Sequence, residues 1–290
     1  MRNGPAGAAA PIVSIIVVNY NAGTLLRECI GSLLRHVTVP CEIIVYDNDS
    51  NDDSLAQAGA VAGTGSVRII RGDANIGFAP ANNIAARQAQ GRLLHFLNPD
   101  IIVNARLDDD YRSILAAAGD WIAVTSLVDP EGRPQNTTHL IPTRGNYLRR
   151  IVLPGRAKYW SIGASIIMPA ATFRLIGGWP EDYFMYAEDL DLFYQAYRRG
   201  VAVSYCDTRL VHIGRGSTSS CWDDAQRALR IERSYRQFYR KHGMTANYYF
   251  VRMMQMAYMA FYDRRALAIT LQAFITTLHD RRPEGAGVWP

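Results

Sequence analysis

Leu93-Leu94-His95-Phe96-Leu97-Asn98-Pro99-Asp100 is a short apolar run that stops abruptly at Asn-Pro-Asp. It has the length and character of a buried strand, and Pro99, with no N–H to donate, ends the ladder. Asn98 and Asp100 therefore emerge at the strand's carboxyl end. In open α/β sheets that edge is where ligands bind, and a carboxylate fixed there can hold a divalent cation against a diphosphate. Taken alone, the octet also reads as a strand-to-turn junction made of ordinary turn formers. Its neighbours decide between the two.

Upstream, strand and helix signals alternate. Residues 12–18 are a β-branched run ending at Asn19-Tyr20-Asn21. Residues 24–34 are helical, with Leu25, Leu26, Cys29, Ile30 and Leu33 on one face. Residues 42–46 read as a second buried strand ending at Asp47-Asn48-Asp49-Ser50. A short helix over 52–60 follows an Asp-rich cap, 67–70 is a third strand and 81–90 a helix. Strands separated by helices predict a parallel sheet with right-handed crossovers. Polar residues gather after each strand, as a nucleotide site requires.

Downstream, 121–128 reads as a strand and Asp129-Pro130-Glu131-Gly132 as a turn. Residues 133–160 are weakly patterned and basic (Arg144, Arg149, Arg150, Arg156, Lys158), which predicts a mobile functional loop. A strand over 162–168, a helix over 170–176 closed by Gly177-Gly178, a helix over 189–199 and a strand over 201–205 follow. A Gly/Ser loop runs from 212 to 220. The last part is helical. Residues 223–242 place Ile231, Tyr235 and Phe238 on one face and five arginines around the rest, and 248–261 and 266–278 are apolar helices.

The 290 residues suffice for one large α/β domain, with or without an appendage. Four scattered cysteines with no Cys-x-x-Cys suggest neither a disulfide framework nor a zinc site and fit a reducing, cytosolic setting. Residues 1–11 read as a floppy leader and not a signal peptide. No stretch reaches the ~20 apolar residues of a membrane span. Residues 1–220 hold 20 Lys+Arg and 20 Asp+Glu, whereas 221–290 hold 11 and 6, so the whole net charge of +5 sits in the tail. A neutral body argues against a nucleic-acid partner, and the tail points to a local anionic one.

Together these motifs resemble family 2 inverting glycosyltransferases of the GT-A fold, in the rhamnosyltransferase-like branch. The pieces run in order from Ser14-Ile15-Ile16-Val17-Val18-Asn19-Tyr20-Asn21 through Glu42–Ser50, Asn75-Ile76-Gly77-Phe78 with Asn82-Asn83, and Asn98-Pro99-Asp100. They close with Gly163-Ala164, Gly177-Gly178-Trp179, Phe184-Met185-Tyr186-Ala187-Glu188-Asp189-Leu190-Asp191-Leu192 and His212-Ile213-Gly214-Arg215-Gly216-Ser217. The resemblance implies a Rossmann-like α/β fold, with a mostly parallel central sheet flanked by helices. A GT-A catalytic domain is expected over 12–220 (nucleotide-binding half 12–105, acceptor half 120–220), followed by a basic amphipathic helical extension over 221–290.

The resemblance also implies roles. Asn19, Tyr20 and Asn21 would cradle the base and ribose of a nucleotide-sugar donor. Asp47 would accept from the imide N–H of uracil or thymine, with Asp49 and Asp52 as turn and cap residues. Gly77 would permit close backbone approach beside Asn75, and Asn82 would sit at a helix start near the nucleotide sugar. Asn98-Pro99-Asp100 aligns with an Asp-x-Asp metal motif whose first carboxylate is here an amide. Asp100 and His212 would then hold Mg²⁺ or Mn²⁺, largely through diphosphate and water, with Asn98 on the donor and Arg215 either on phosphate or simply exposed. Asp189 is the expected general base, with an apolar wall at 184–186 to raise its pKa. Gly163, Glu188 and Trp179 are acceptor-side candidates, Trp179 either stacking on a sugar or packed in the core.

The expected reaction moves a hexose, L-rhamnose from dTDP-rhamnose, onto a lipid-linked saccharide for the cell envelope. A UDP-sugar donor is the nearest alternative, because Asp47 does not distinguish thymine from uracil. A non-catalytic nucleotide-sugar-binding or membrane scaffold protein is the rival from another class; Asn98 favours it and Asp189 opposes it. The tail is read as a peripheral attachment to an anionic membrane surface, on the cytoplasmic face of the cell membrane.

Overall fold

The computed structural model describes residues 10–62, 67–214 and 222–279. Arg215 and nearly all of the 1–11 leader lie outside the described residues.

β1 (Val13–Asn19) is buried along its whole length because its two faces meet different cores. Ile16 and Val18 pack with Phe96, Trp179 and Phe193, while Ile15 and Val17 pack with Leu26, Leu33 and Tyr111. The two-residue strand period sends alternate side chains to opposite faces, and a strand apolar on both faces belongs inside a parallel sheet covered by helices. α1 (Thr24–His36), β2 (Cys41–Asp47), α2 (Ser54–Ala62), β3 (Val67–Arg71), α3 (Phe78–Arg87) and β4 (Leu93–Leu97) continue the alternation. β1 pairs in parallel with β2 and β4, and β2 with β3.

After β4 the sheet becomes mixed. It is completed by β5 (Ile101–Ile102), β6 (Trp121–Val128), β9 (Ser165–Pro169) and β10 (Ala202–His212), with α4 (Asp108–Ala116), α6 (Ala170–Ile176) and α7 (Glu188–Arg198) between them. The eight strands run β3-β2-β1-β4-β9-β6-β10-β5, with β9 antiparallel to β4 and β6, and β10 parallel to β6. The last described residues form three helices: α8 (Asp224–Lys241), α9 (Thr245–Tyr262) and α10 (Arg264–His279). None of the described helices is long and apolar enough to cross a membrane.

The sequence-based expectations need four corrections. Residues 133–160 are not a structureless loop. They form a two-stranded antiparallel sheet, β7 (Thr138–Leu140) with β8 (Tyr159–Ser161), and between its strands lie α5 (Arg144–Val152) and a 3-10 turn at Pro154–Arg156. β9 starts at Ser165, later than residue 162, so Ile162-Gly163-Ala164 stays outside the sheet. β10 runs on to His212, because a register shift between Tyr205 and Arg209 absorbs the polar Cys206-Asp207-Thr208 stretch that reads as a strand end. α4 was not anticipated; its first turn is Asp108-Asp109-Asp110, favoured by the helix dipole, and Asp108 accepts from the Thr38 and Val39 N–H groups.

The last helices are no loose appendage. Phe238 and Tyr239 of α8 are fully buried in the core that holds Trp179 and Phe193. A buried Arg252–Glu232 pair at 2.8 Å ties α9 to α8. Cys29, Cys41 and Cys206 are free thiols.

Candidate active site

A cleft of about 350 Å³ opens at the carboxyl ends of β1 and β4. The chain leaves β1 toward β2 on one side and, after β3, crosses back to β4 on the other side of β1, and such a switch point leaves a crevice between loops that part in opposite directions. Tyr20, Asn75, Gly77, Asn98, Asp100 and His212 line it from strand ends and the loops beside them, and Gly163, Glu188 and Asp189 from the segment before β9 and the start of α7. A larger concavity of about 770 Å³ at Gly91, Arg92 and Pro169 holds no carboxylate or histidine, so the chemistry belongs to the smaller cleft.

The wall carrying Asp100 hangs on strand ends. The Asn98 N–H donates to the Ala164 carbonyl (2.9 Å) and Ile101 N–H to the Asn98 carbonyl (3.2 Å), closing the turn that presents Asp100. His212 pairs with Ile101 across the β10–β5 ladder, and Ile213 N–H donates to the Asp100 carbonyl at 3.0 Å. This pairing sets His212 Nε2 3.5 Å from Asp100 Oδ2, with Asp100 buried and His212 half-buried. Gln135 fixes the ring: its Nε2 donates to the His212 carbonyl (2.8 Å), which leaves Oε1 to accept from His212 Nδ1 (2.7 Å). In a neutral ring the Nε2 lone pair then faces the carboxylate, and two such donors of electron density suit a cation. Among the described residues no group of three or more His, Cys, Asp or Glu forms a metal cluster. Asp100 and His212 therefore fit a cation that takes its other ligands from substrate and water, as Mg²⁺ usually does.

A second part of the wall, built by the start of α7, carries Asp189. Its Oδ1 accepts from the Leu190 N–H (2.8 Å) and its Oδ2 from the Gly163 N–H (3.2 Å). Burial pushes its carboxyl up to about 6, outweighing those hydrogen bonds. Met185 and Tyr186 line the cleft beside it. Tyr186 and Ala187 adopt left-handed backbone conformations (φ 68° and 67°) just before α7 begins. Two consecutive non-glycine residues there cost of order 1–3 kcal/mol each, so something must hold them. α8 does so. Ser234 donates to the Met185 carbonyl (2.9 Å) and Gln237 to the Asp182 carbonyl (2.6 Å), while Trp222, just before α8, lies against Tyr186 at 6.2 Å between ring centroids. Asp191, fully buried one turn into α7, receives His242 Nε2 (2.6 Å), Lys241 Nζ (2.8 Å) and the Tyr183 hydroxyl (3.1 Å). Burial alone would raise the Asp191 carboxyl, but the hydrogen bonds from His242 and Lys241 hold it below the usual range.

Five sequence-based candidates lie off the cleft wall. Asn19 and Asp47 sit beneath it. Asn19 Nδ2 donates to Asp47 Oδ1 (2.7 Å), and Ser50 donates to both Asp47 oxygens, so this pair braces the loop after β2. The β2-end residue on the wall is Asn48, whose amide grips the Ile76 N–H and the Gly77 carbonyl. Asn21, in a left-handed turn, accepts from Asn51 N–H. Asn82 lies a turn inside α3, which starts at Phe78, and donates to the Phe78 carbonyl; it is not at a helix start. Trp179 is 1% exposed and packs edge-on to Phe78 and Phe96, so it does not stack on a sugar. Gly77 (φ 90°) does permit a close approach, but to protein: an added Cβ would lie 2.6 Å from the Phe184 carbonyl, where the two walls touch.

Sequence reasoning missed Asn48 and Gln135, whereas Met185 and Tyr186 belong to the segment expected to wall Asp189 and do line the cleft with it. Gln135 carried no local signal, because its role depends on β10 reaching His212.

A family model described as glycosyl transferase family 2 matches residues 14–157. The N-acetylglucosaminyl-diphospho-decaprenol L-rhamnosyltransferase of Mycobacterium tuberculosis is 26% identical over 213 residues, 62% of this chain and 69% of that protein. Among solved structures, S. aureus TarS 1-349 in complex with UDP-GlcNAc superposes with a TM-score of 0.61 at 16% identity, over 92% of this chain and 79% of that one. The mannosyltransferase PcManGT from Pyrobaculum calidifontis, in complex with GDP-Man and Mn2+, gives 0.56 at 17%, over 97% and 77%. The chain spans less than two thirds of the length of the first curated relatives it matches. With its mostly parallel sheet, flanking helices and strand-end cleft, the chain has the GT-A fold and belongs to glycosyl transferase family 2.

Proposed function

We propose that the protein is a metal-dependent inverting glycosyltransferase that moves a hexose, L-rhamnose from dTDP-L-rhamnose, onto a hydroxyl of a lipid-linked saccharide in cell-envelope polysaccharide synthesis. The observation that carries the transferase reading is Asp189: a cleft-wall carboxyl, raised to about 6 by burial, lining the same cleft as Asp100 and His212. A general base works best with a pKa near the operating pH, and a binding module has no use for one.

In this reading Asp189 accepts the proton of the acceptor hydroxyl as that oxygen attacks the anomeric carbon, opposite the departing diphosphate. A single displacement needs no enzyme nucleophile. The Gly163 and Leu190 N–H groups aim the carboxylate, and Glu188, Met185 and Tyr186 offer contacts to the acceptor. Tyr20, Asn48, Asn75 and Asn98 lie where a nucleotide and its sugar would rest. Asp100 and His212 would hold Mg²⁺ or Mn²⁺, which neutralises charge on the leaving diphosphate. The rhamnosyl donor and the lipid-linked acceptor rest on the motif resemblance and on the relative from M. tuberculosis. The excess of Lys and Arg after residue 220 supports a peripheral position on the cytoplasmic face of an anionic membrane.

The test is a donor screen that reads released nucleoside diphosphate, with a crude lipid extract as acceptor and Mg²⁺ or Mn²⁺ present. Release from dTDP-rhamnose that requires the extract is the expected result. Release from a UDP-sugar alone replaces the donor, and no release from any nucleotide sugar overturns the enzyme reading.

A further inference from the structure

We infer that the tip between β7 and β8, residues 148–156, docks the protein onto an anionic lipid bilayer. The inference rests on the reading of a lipid-linked acceptor and names the surface that meets the membrane.

The tip is built to stand out. Buried Asn146 closes its neck, donating to the Ile141 and Lys158 carbonyls (2.9 and 2.7 Å) and accepting from the Lys158 N–H (2.9 Å). Beyond the neck the chain is exposed throughout, yet it is apolar: Leu148 is 62% exposed, Ile151 80%, Val152 64% and Leu153 50%. A closed hydrogen-bonded neck carrying four outward aliphatic side chains is a built projection that leaves greasy surface in water, and such patches mark a partner.

Charge decides which partner. Arg149, Arg150 and Arg156 are interleaved with the aliphatic residues, and residues 132–180 contain no Asp or Glu. A second copy of this chain, paired through the same tip, would set arginine against arginine. A bilayer with anionic headgroups takes both parts at once, aliphatic tips among acyl chains and guanidinium groups at the phosphates.

The tip also has a place in the site. Its return strand, β8, leads directly into Ile162-Gly163-Ala164 on the cleft wall, where Gly163 holds Asp189. On its other side α5 is seated against α9, through Arg144 N–H to Asn247 Oδ1 (3.0 Å) and the Arg144 guanidinium over the Phe250 ring. Later in α9, Met254, Tyr258, Phe261 and Tyr262 are exposed.

The test is co-sedimentation of the full chain with phosphatidylcholine vesicles, with and without phosphatidylglycerol, at low and high salt. The expected result is binding to the anionic vesicles that weakens with salt. Leu148→Ser with Ile151→Ser should cut it at least about tenfold, and Arg149→Ser with Arg156→Ser by about fivefold per arginine. These residues are exposed, and calorimetric nucleotide binding should not change, so a failed membrane inference and a failed transferase reading appear in separate measurements. Three results overturn the inference: no binding to anionic vesicles, binding undiminished in both variants, or a dimer in solution that Ile151→Ser splits into monomers.

Discussion

The wall that carries Asp100 and the wall that carries Asp189 are held in different ways. The first is an outcome of the sheet: ladder pairing between β10 and β5 delivers His212, and the turn after β4 delivers Asp100. The second is a strained loop clamped from outside by a helix near the far end of the chain, through Ser234, Gln237, Lys241 and His242. A wall made from sheet hydrogen bonds keeps its geometry as long as the sheet exists. A wall made from a clamp can loosen while the sheet stays intact. Donor-side and base-side functions should therefore be separable by mutation, although both line one cleft.

The largest expected effect separates chemistry from binding. Asp189→Asn should lower turnover by about 10²–10⁴-fold, the usual contribution of a positioned base, while calorimetric donor affinity stays within a factor of a few. Unchanged turnover would remove Asp189 from the reaction.

The next effect probes the clamp. Asp191→Ala leaves Lys241 and His242 facing a buried gap, and breaking a buried pair from one side costs about 3–5 kcal/mol. Chemical denaturation should show that loss, and turnover should fall further than donor affinity does. Equal falls in both would mean that the clamp supports the whole cleft and not one wall.

On the sheet-built wall, Gln135→Ala frees the His212 ring. Loss of such a support typically weakens metal binding 10–100-fold, readable as the Mn²⁺ concentration needed for nucleotide binding. No change would take His212 out of the metal's reach.

The smallest effect concerns stability. The folded Asp189 carboxyl titrates near 6 against an ordinary value of 3.8. Between those values the folded state binds the extra proton, so stability falls as pH rises from about 4 to 6, and the penalty is complete above 6. Asp189→Asn removes it. The variant should melt higher than the parent at pH 7–8, and the two should converge at pH 4. A lower melting temperature at pH 7–8 would show the carboxylate to be stabilising.

The same contrast explains what could be read from the chain itself. The Asp100 wall was legible because its logic is local: an apolar run, a proline and a polar stop announce a strand end, and β1, β2 and β4 fall close to the expected bounds. His212 could be named from its motif, but its partner Gln135 could not, since β10 passes through polar residues that look like a loop. Asp47 shows the limit of motif reading. A carboxylate at a strand end looks like a ligand contact, yet in the fold its oxygens brace Asn19 and Ser50 while Asn48 faces the cleft. The clamp was invisible because it joins Asp191 to Lys241 and His242, a contact that no period or spacing encodes. Trp179 failed for a related reason: an aromatic beside two glycines suits a sugar platform and a core equally well, and Phe78 and Phe96 settle it as core.

The most direct test of the central claim, that the two walls form one catalytic cleft, measures nucleotide-sugar affinity by calorimetry with Mn²⁺ and turnover for Asp100→Asn and Asp189→Asn side by side. Both substitutions should suppress turnover, while only Asp100→Asn should weaken metal-dependent donor binding. Donor affinity lost in Asp189→Asn but kept in Asp100→Asn, or full turnover in either variant, would contradict it.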